Sequence, residues 1–195
     1  MKRGTLLTLE VFDFDHTIYD GDVTIDFYLY CLKRQPLLIY YFPEQILHLL
    51  KYVLKKEEKT QFKSHFFCFL KGLKAIDLVV EEFWEVHFNK IKPWYLKKTT
   101  PYDVIISASP EFLLKSIGTR LKVYDIIASD IDPYTGLFNG VNCYGEEKVH
   151  RYKLKYPNHT INNFYSDSLS DLPLAKIAFQ SCLVQGDQIK EWLIS

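Results

Sequence analysis

The strongest limit on how this chain can fold comes from an apolar run that ends in two aspartates one residue apart: residues 9–22 read LEVFDFDHTIYDGD. Leu9, Val11 and Phe12 have the composition of a short buried strand, and Asp13 and Asp15 come directly off its end, followed by Thr17 and a turn-like YDGD. In an α/β sheet, ligands bind in the crevice outside the C-terminal ends of the strands. Two carboxylates this close repel each other, so they require a cation or a proton held by one of them. Taken alone, the pattern is equally a strand-to-loop turn in which Asp and Thr cap backbone groups. The rest of the chain has to choose.

Beyond residue 103 the texture is strand and helix in alternation. Val104, Ile105 and Ile106 predict a strand that runs into Ser107-Ala108-Ser109-Pro110, and residues 111–121 predict a helix with Ser109 as its cap and Pro110 at its first position. Residues 123–129 form a second strand, 132–141 carry the turn residues of a hairpin or flap, and 146–156 form a Lys/Arg-rich helix ended by Pro157. A strand at 162–165 leads into Ser166-Asp167-Ser168-Leu169-Ser170-Asp171; a helix at 172–178, a strand at 181–185 and a helix at 188–193 follow. Such alternation implies a parallel sheet with helices on both faces. Between the two ends, residues 23–33 read as a helix with Thr24 as its cap. Residues 44–56, 59–73 and 76–90 place apolar and aromatic residues three and four apart, which predicts an all-helical insertion reaching about residue 98.

Charge and cysteine usage narrow the function. Lys+Arg and Asp+Glu both number 24, so nucleic acid is not the expected partner. Cys31, Cys68, Cys143 and Cys182 are scattered, with no CxxC and no His at metal-ligand spacing, and read as reduced core thiols. Lys2 and Arg3 precede an apolar LLTL run, but Glu10, Asp13 and Asp15 end it before a signal-peptide core can form, so a cytoplasmic location is expected. Residues 36–54 are the most lipid-like, yet Pro43, Glu44, His48 and Lys51 interrupt them short of the ~18 to 20 apolar residues a spanning helix needs. Residues 30–98 carry thirteen Lys/Arg against seven Asp/Glu, and the remaining chain balances that excess. A basic lid over an acidic floor would attract phosphorylated substrates; the same lysines would equally be the solvated faces of helices.

Three strand ends from distant parts of the chain thus carry reactive residue types: Asp13 with Asp15, Ser107, and Asp167 with Asp171, while Lys148 opens the helix between the second and third. The order FDFDHT, VIISASP, GEEK and YSDSLSDLPL resembles the four-motif signature of the haloacid dehalogenase superfamily, and the helical insertion between the first and second motifs resembles the cap of its phosphoserine-phosphatase-like branch (subfamily IB). SASPEFLL, and GEEK preceded by NCYG, resemble members that include phosphatidylglycerophosphatase-type enzymes. The resemblance implies an α/β fold, a doubly wound three-layer Rossmann-type parallel sheet in residues 1–21 and 99–195, with an all-helical cap in residues 22–98.

It also implies a chemistry. Mg2+ would neutralise the charge of a phosphate monoester, with Asp13, Asp15, Asp167 and Asp171 as its acidic surroundings: Asp13 and Asp167 through their side chains, Asp15 through its backbone carbonyl and Asp171 through water. Asp13 would be the nucleophile, forming an aspartyl-phosphate. Asp15 would protonate the leaving oxygen and later take a proton from water, with crowding by Asp13, Asp167 and Asp171 favouring its protonated form. Ser107 would hydrogen-bond a phosphoryl oxygen and Lys148 would neutralise its charge; a capping serine and a surface lysine are the structural alternatives. His16 and Thr17 are local supports, and Ala108 and Asp22 join the substrate-binding set. Ala108-Ser109-Pro110 stands where the phosphoserine enzymes carry two glycines, which argues against phosphoserine itself.

The expected activity is therefore Mg2+-dependent hydrolysis of a small phosphorylated metabolite. The alternatives are a lipid-phosphate phosphatase whose cap makes peripheral membrane contact through the aromatic, basic stretch 37–56, a phosphotransferase or mutase using the same intermediate, and a binding module that has kept the fold. The sequence carries no signal for oligomeric state.

Overall fold

The computed structural model describes residues 8–194, so Lys2 and Arg3 lie outside the described residues. A six-stranded sheet runs in the order β3-β2-β1-β4-β5-β6, built from β1 (Thr8–Phe12), β2 (Asp103–Pro110), β3 (Asp125–Ser129), β4 (Thr160–Ser166), β5 (Ala178–Gln185) and β6 (Gln188–Glu191). Strands β1 to β5 pair in parallel, and β6 closes the edge antiparallel to β5. The chain leaves β1 to build β2 and β3 on one side, then returns to build β4 and β5 on the other. That reversal puts the topological switch point at the C-terminal end of β1, where an open parallel sheet leaves its ligand crevice.

Side chains alternate across the strands, and the central strands β1, β2 and β4 are buried on both faces, while the edge strand β6 is exposed. Leu9 and Val11 of β1 join Val104, Ile106 and Phe164 on one face, beneath α7 (Glu146–Lys155) and α8 (Leu172–Ala175). Phe12, Ile105 and Tyr165 lie on the other, in a larger core shared with α1 (Val23–Arg34), α4 (Ile76–His87), α5 (Pro93–Lys98) and α6 (Glu111–Leu121). The helical insertion also holds α2 (Phe42–Val53) and α3 (Lys59–Phe66), each joined to a 3-10 turn, Pro36–Tyr41 before α2 and Phe67–Gly72 after α3. The architecture is a Rossmann-like α/β core with an all-helical cap inserted between β1 and β2. No helix among the described residues is long and apolar enough to cross a membrane.

Several expectations need correction. Residues 188–191 are the edge strand β6 rather than a helix: Ile189 faces Val184 across the ladder, and apolar spacing over so few residues does not distinguish the two states. The helix expected over 172–178 stops at Ala175, because Ala178 already pairs with Ile161 in the sheet. The segment 59–73 tightens into a 3-10 turn at Phe67, which buries Phe67, Cys68, Phe69 and Leu70 in succession. Asp22, not Thr24, caps α1, accepting the Ile25 N–H at 3.0 Å. Ser109 does not cap α6, whose cap position is Pro110.

Candidate active site

The β1–β4 ladder extends one residue past the strand, with the Asp13 N–H donating to the Tyr165 carbonyl at 2.8 Å, which fixes the Asp13 backbone at the switch point. The loop that follows turns sharply through His16, whose φ of 55° is left-handed. The buried Lys92 ammonium holds that turn by donating to the His16 carbonyl and, at 2.7 Å, to the Gly186 carbonyl. Thr17 sits below, fully buried, accepting the Asp167 N–H at 2.9 Å, so the ends of β1 and β4 are joined by one hydroxyl.

Lys148 is the electrostatic centre. Gly145 takes a φ of 58° to turn the chain into α7, and the Lys148 side chain, 3% exposed, then reaches Asp13 Oδ1 at 2.7 Å and Asp171 Oδ2 at 2.8 Å. Burial works against its charge, but the two carboxylates outweigh burial and raise its pKa, so it stays an ammonium. Ser166 Oγ donates to the same Asp171 oxygen at 2.8 Å. Asp171 Oδ1 is buried without a hydrogen-bond partner. Asp13 Oδ2 has only a long 3.5 Å approach from Thr17 and is the freer of its two oxygens. Burial pushes the Asp13 carboxyl up against the pull of Lys148, and burial likewise raises Asp167.

Asp15 is held differently. Its Oδ1 accepts the Val23 N–H at 2.7 Å and its Oδ2 accepts from Ser109 Oγ at 2.5 Å. Burial first, then the nearby Asp22 carboxylate, push its pKa up to about 6, against the two hydrogen bonds and Lys63. The expected crowding by Asp13, Asp167 and Asp171 is therefore not the main cause. Asp13 and Asp15 thus line one cavity of about 380 Å³, together with Asp22, Ala108, Lys148, Asp167 and Asp171. Ser107 lies fully buried beneath the cavity lining, its Oγ accepting the Ser109 N–H at 3.1 Å.

The insertion supplies the opposite wall. Phe62, Lys63 and Phe66 from α3, with Phe67, face the acidic floor. Lys63 Nζ donates to the Ala108 carbonyl at 3.0 Å and to Asn142 Oδ1 at 3.2 Å, tying α3 to the end of β2. None of these four was singled out from the sequence; the basic excess of the insertion was the only signal, and it points to no position. Ser109 was singled out, but for the wrong reason.

The donor set fits a hard divalent cation: clustered carboxylates, one of them with a buried oxygen that has no protein partner, at a strand-end crevice. A separate group in the insertion, Glu44, His48 and His65, could also hold a divalent cation.

Residues 11–176 match the family model for haloacid dehalogenase-like hydrolases. No curated protein matches the sequence. Among solved structures, the fold is similar to a protein of unknown function from Bordetella pertussis Tohama I (TM-score 0.75, 20% identity, covering 91% of this chain and 89% of that one). It is also similar to a phosphoserine phosphohydrolase-like protein from Francisella tularensis subsp. tularensis SCHU S4 (TM-score 0.55, 13% identity, 90% and 86% covered). A third is a phosphoserine phosphatase described as a phospho-aspartyl intermediate analogue (TM-score 0.53, 19% identity, 91% and 86% covered). At these identities the likeness is one of fold.

Proposed function

The chain belongs to the haloacid dehalogenase-like hydrolase family, and from that premise we propose that it is a Mg2+-dependent phosphomonoester hydrolase of the phosphoserine-phosphatase-like branch, with residues 22–98 as its cap and 1–21 with 99–195 as its core. The observation that carries the reading is the Lys148 ammonium bridging Asp13 and Asp171 at 2.7 and 2.8 Å beside a second carboxyl, Asp15, in the same cavity. Bound Mg2+ would supply charge neutralisation at the phosphoryl group, held by Asp13 and Asp167, the Asp15 carbonyl, and Asp171 through water.

The Asp13 carboxylate attacks phosphorus through its freer oxygen; the P–O bond to the leaving group breaks as the aspartyl-phosphate forms. Asp15, with a pKa of about 6, gives its proton to the leaving oxygen and then takes one from the water that hydrolyses the intermediate. Lys148 meets the phosphoryl charge from a water-poor position, where such a contact is worth most. Asp22 and Ala108 border the substrate. Ser107 acts through Ser109, whose N–H it accepts, and so positions the loop that carries the Asp15 partner.

The substrate is a small phosphorylated metabolite with an apolar part, since Phe62, Phe66, Phe67 and Ile25 border the cavity beside the phosphoryl end. A lipid phosphate is the second reading, favoured by one observation: Leu37, Ile39, Tyr40, Leu47, Leu50, Val53 and Leu54 are all exposed on the 3-10 turn, α2 and the residue after it. Phosphate release from a panel of phosphorylated metabolites and phosphatidylglycerophosphate, with Mg2+ or EDTA, tests both. Turnover that needs Mg2+ and vanishes in Asp13→Asn is the expected result. Turnover retained by Asp13→Asn overturns the reading.

A further inference from the structure

The hairpin of α2 and α3 gathers side chains with metal-binding chemistry that do not line the phosphoryl cavity. Glu44 and His48 stand four residues apart on α2 and so share a face. His65 stands on α3, and Glu57 lies in the turn between the helices. His48 Nδ1 is 2.9 Å from both Glu57 oxygens, His65 Nδ1 is 3.1 Å from Glu44 Oε1, and His65 Nε2 is 3.7 Å from Glu57 Oε1. The two imidazoles lie face to face with centroids 3.3 Å apart. One donor atom from each of Glu44, His48 and His65 lies within 4.8 Å of the others.

Ion pairing alone is a poor reason for this grouping. Ion pairs on a helix surface add little stability. Yet the Glu57 and His48 side chains are withdrawn to 8% and 12% exposure. The buried Cys68 thiol lies close to the Glu44 carboxylate, and burial first, then that charge, raises its pKa. Lys51 and Lys56 border the surface beside Glu57 and His65 and oppose a cation there.

We propose that Glu44, His48 and His65 form a site for a borderline divalent transition ion, Zn2+ by its chemistry, that fastens α2 to α3. Two imidazole nitrogens with one carboxylate oxygen suit Zn2+, whereas Mg2+ takes oxygen ligands and keeps its waters. The site, flanked by the Glu57 carboxylate beside both rings, ties the two helices together. Its effect reaches the cavity, because Phe62, Lys63 and Phe66 on α3 form the cavity's outer wall.

The test is calorimetric titration of Zn2+ in excess Mg2+, for wild type, His65→Ala, Glu44→Gln and Asp13→Asn, with circular dichroism to check folding. The expected result is one Zn2+ per chain in wild type and in Asp13→Asn, and affinity weakened at least about tenfold in His65→Ala and Glu44→Gln. Co2+ in place of Zn2+ gives wild type the visible absorption of a four-coordinate site completed by water, and His65→Ala loses it. Should His65→Ala fail to fold, Glu44→Gln decides. Absence of Zn2+ binding in wild type overturns the proposal, as does binding that survives both hairpin variants and disappears in Asp13→Asn.

Discussion

Ser109 Oγ donates a 2.5 Å hydrogen bond to Asp15 Oδ2, across the gap between the ends of β2 and β1. The bond favours the charged carboxylate, while Asp22 next to it disfavours that form. The two neighbours therefore pull the Asp15 pKa in opposite directions around its value of about 6.

That opposition predicts the pH profile. The first step needs protonated Asp15, so kcat falls as pH rises through its pKa. Ser109→Ala removes a contact that lowers the pKa and moves this alkaline limb to higher pH. Asp22→Asn removes a charge that raises it, can keep the cap on Ile25, and moves the limb to lower pH. Each shift is about a unit or less, the size expected for one hydrogen bond or one neighbouring charge. Profiles of kcat for the two variants moving in the same direction would exclude Asp15 as the acid.

Lys148→Met tests the buried triad. Two carboxylates that shared one ammonium at 2.7 and 2.8 Å become unpaired in the interior. Breaking a buried pair by removing one partner costs about 3–5 kcal/mol. Burial already raises the folded-state pKa of Asp13, and loss of Lys148 raises it further; stability is then fullest at acid pH and is lost as pH rises through that folded value. Thermal melts from pH 5 to 8 should show the variant's deficit growing with pH and shrinking when Mg2+ is added.

Much of this was legible before any coordinates, and the reasons are local. The strand ending at Phe12 and its aspartates, the buried Val104-Ile105-Ile106 run and Asp167 with Asp171 announce themselves because period and composition report burial on both faces of a sheet. Asp13 and Lys148, 135 positions apart, meet at 2.7 Å, a contact to which only the family resemblance pointed, since Lys148 by itself reads equally as a surface lysine. What was hidden depends on pairing between distant segments. Ser109 has the right residue type and position for a helix cap, and only the approach of Asp15 draws its hydroxyl away. Ile189 has no distinguishing neighbour in sequence and becomes a strand residue through Val184. Lys63 reaches Asn142, and Glu44 meets His65, across folds of the chain that spacing does not reveal.

Gly136 bears on the cavity wall from outside the catalytic set. Its φ is +76°, and a Cβ there would lie 2.2 Å from the Phe67 carbonyl oxygen, so the loop carrying it can pack on Phe67 only as glycine. Gly136→Ala adds backbone strain and a clash, which together cost about 2 kcal/mol or more. Because Phe67 borders the cavity, KM should rise more than kcat falls. Denaturant melts and steady-state kinetics on one preparation give both readings.

His16 makes the complementary case, a left-handed residue that is not glycine. Its φ of 55° strains an L-residue by about 1–2 kcal/mol, less for His than for branched residues. The turn persists because Lys92, buried and aimed at the His16 carbonyl, holds it along with the Gly186 carbonyl. His16→Gly relieves the strain but frees the unfolded chain, so stability should stay within about 1 kcal/mol of wild type. His16→Val puts a branched side chain where it fits worst and should cost about 1–2 kcal/mol more than the glycine variant. Lys92→Met removes the clamp itself. If the turn is set by that clamp, Lys92→Met lowers the melting temperature more than either His16 variant and lowers kcat, because the same turn links Asp15 to Thr17. A Lys92→Met protein with wild-type kcat would show that the His16 turn holds without it.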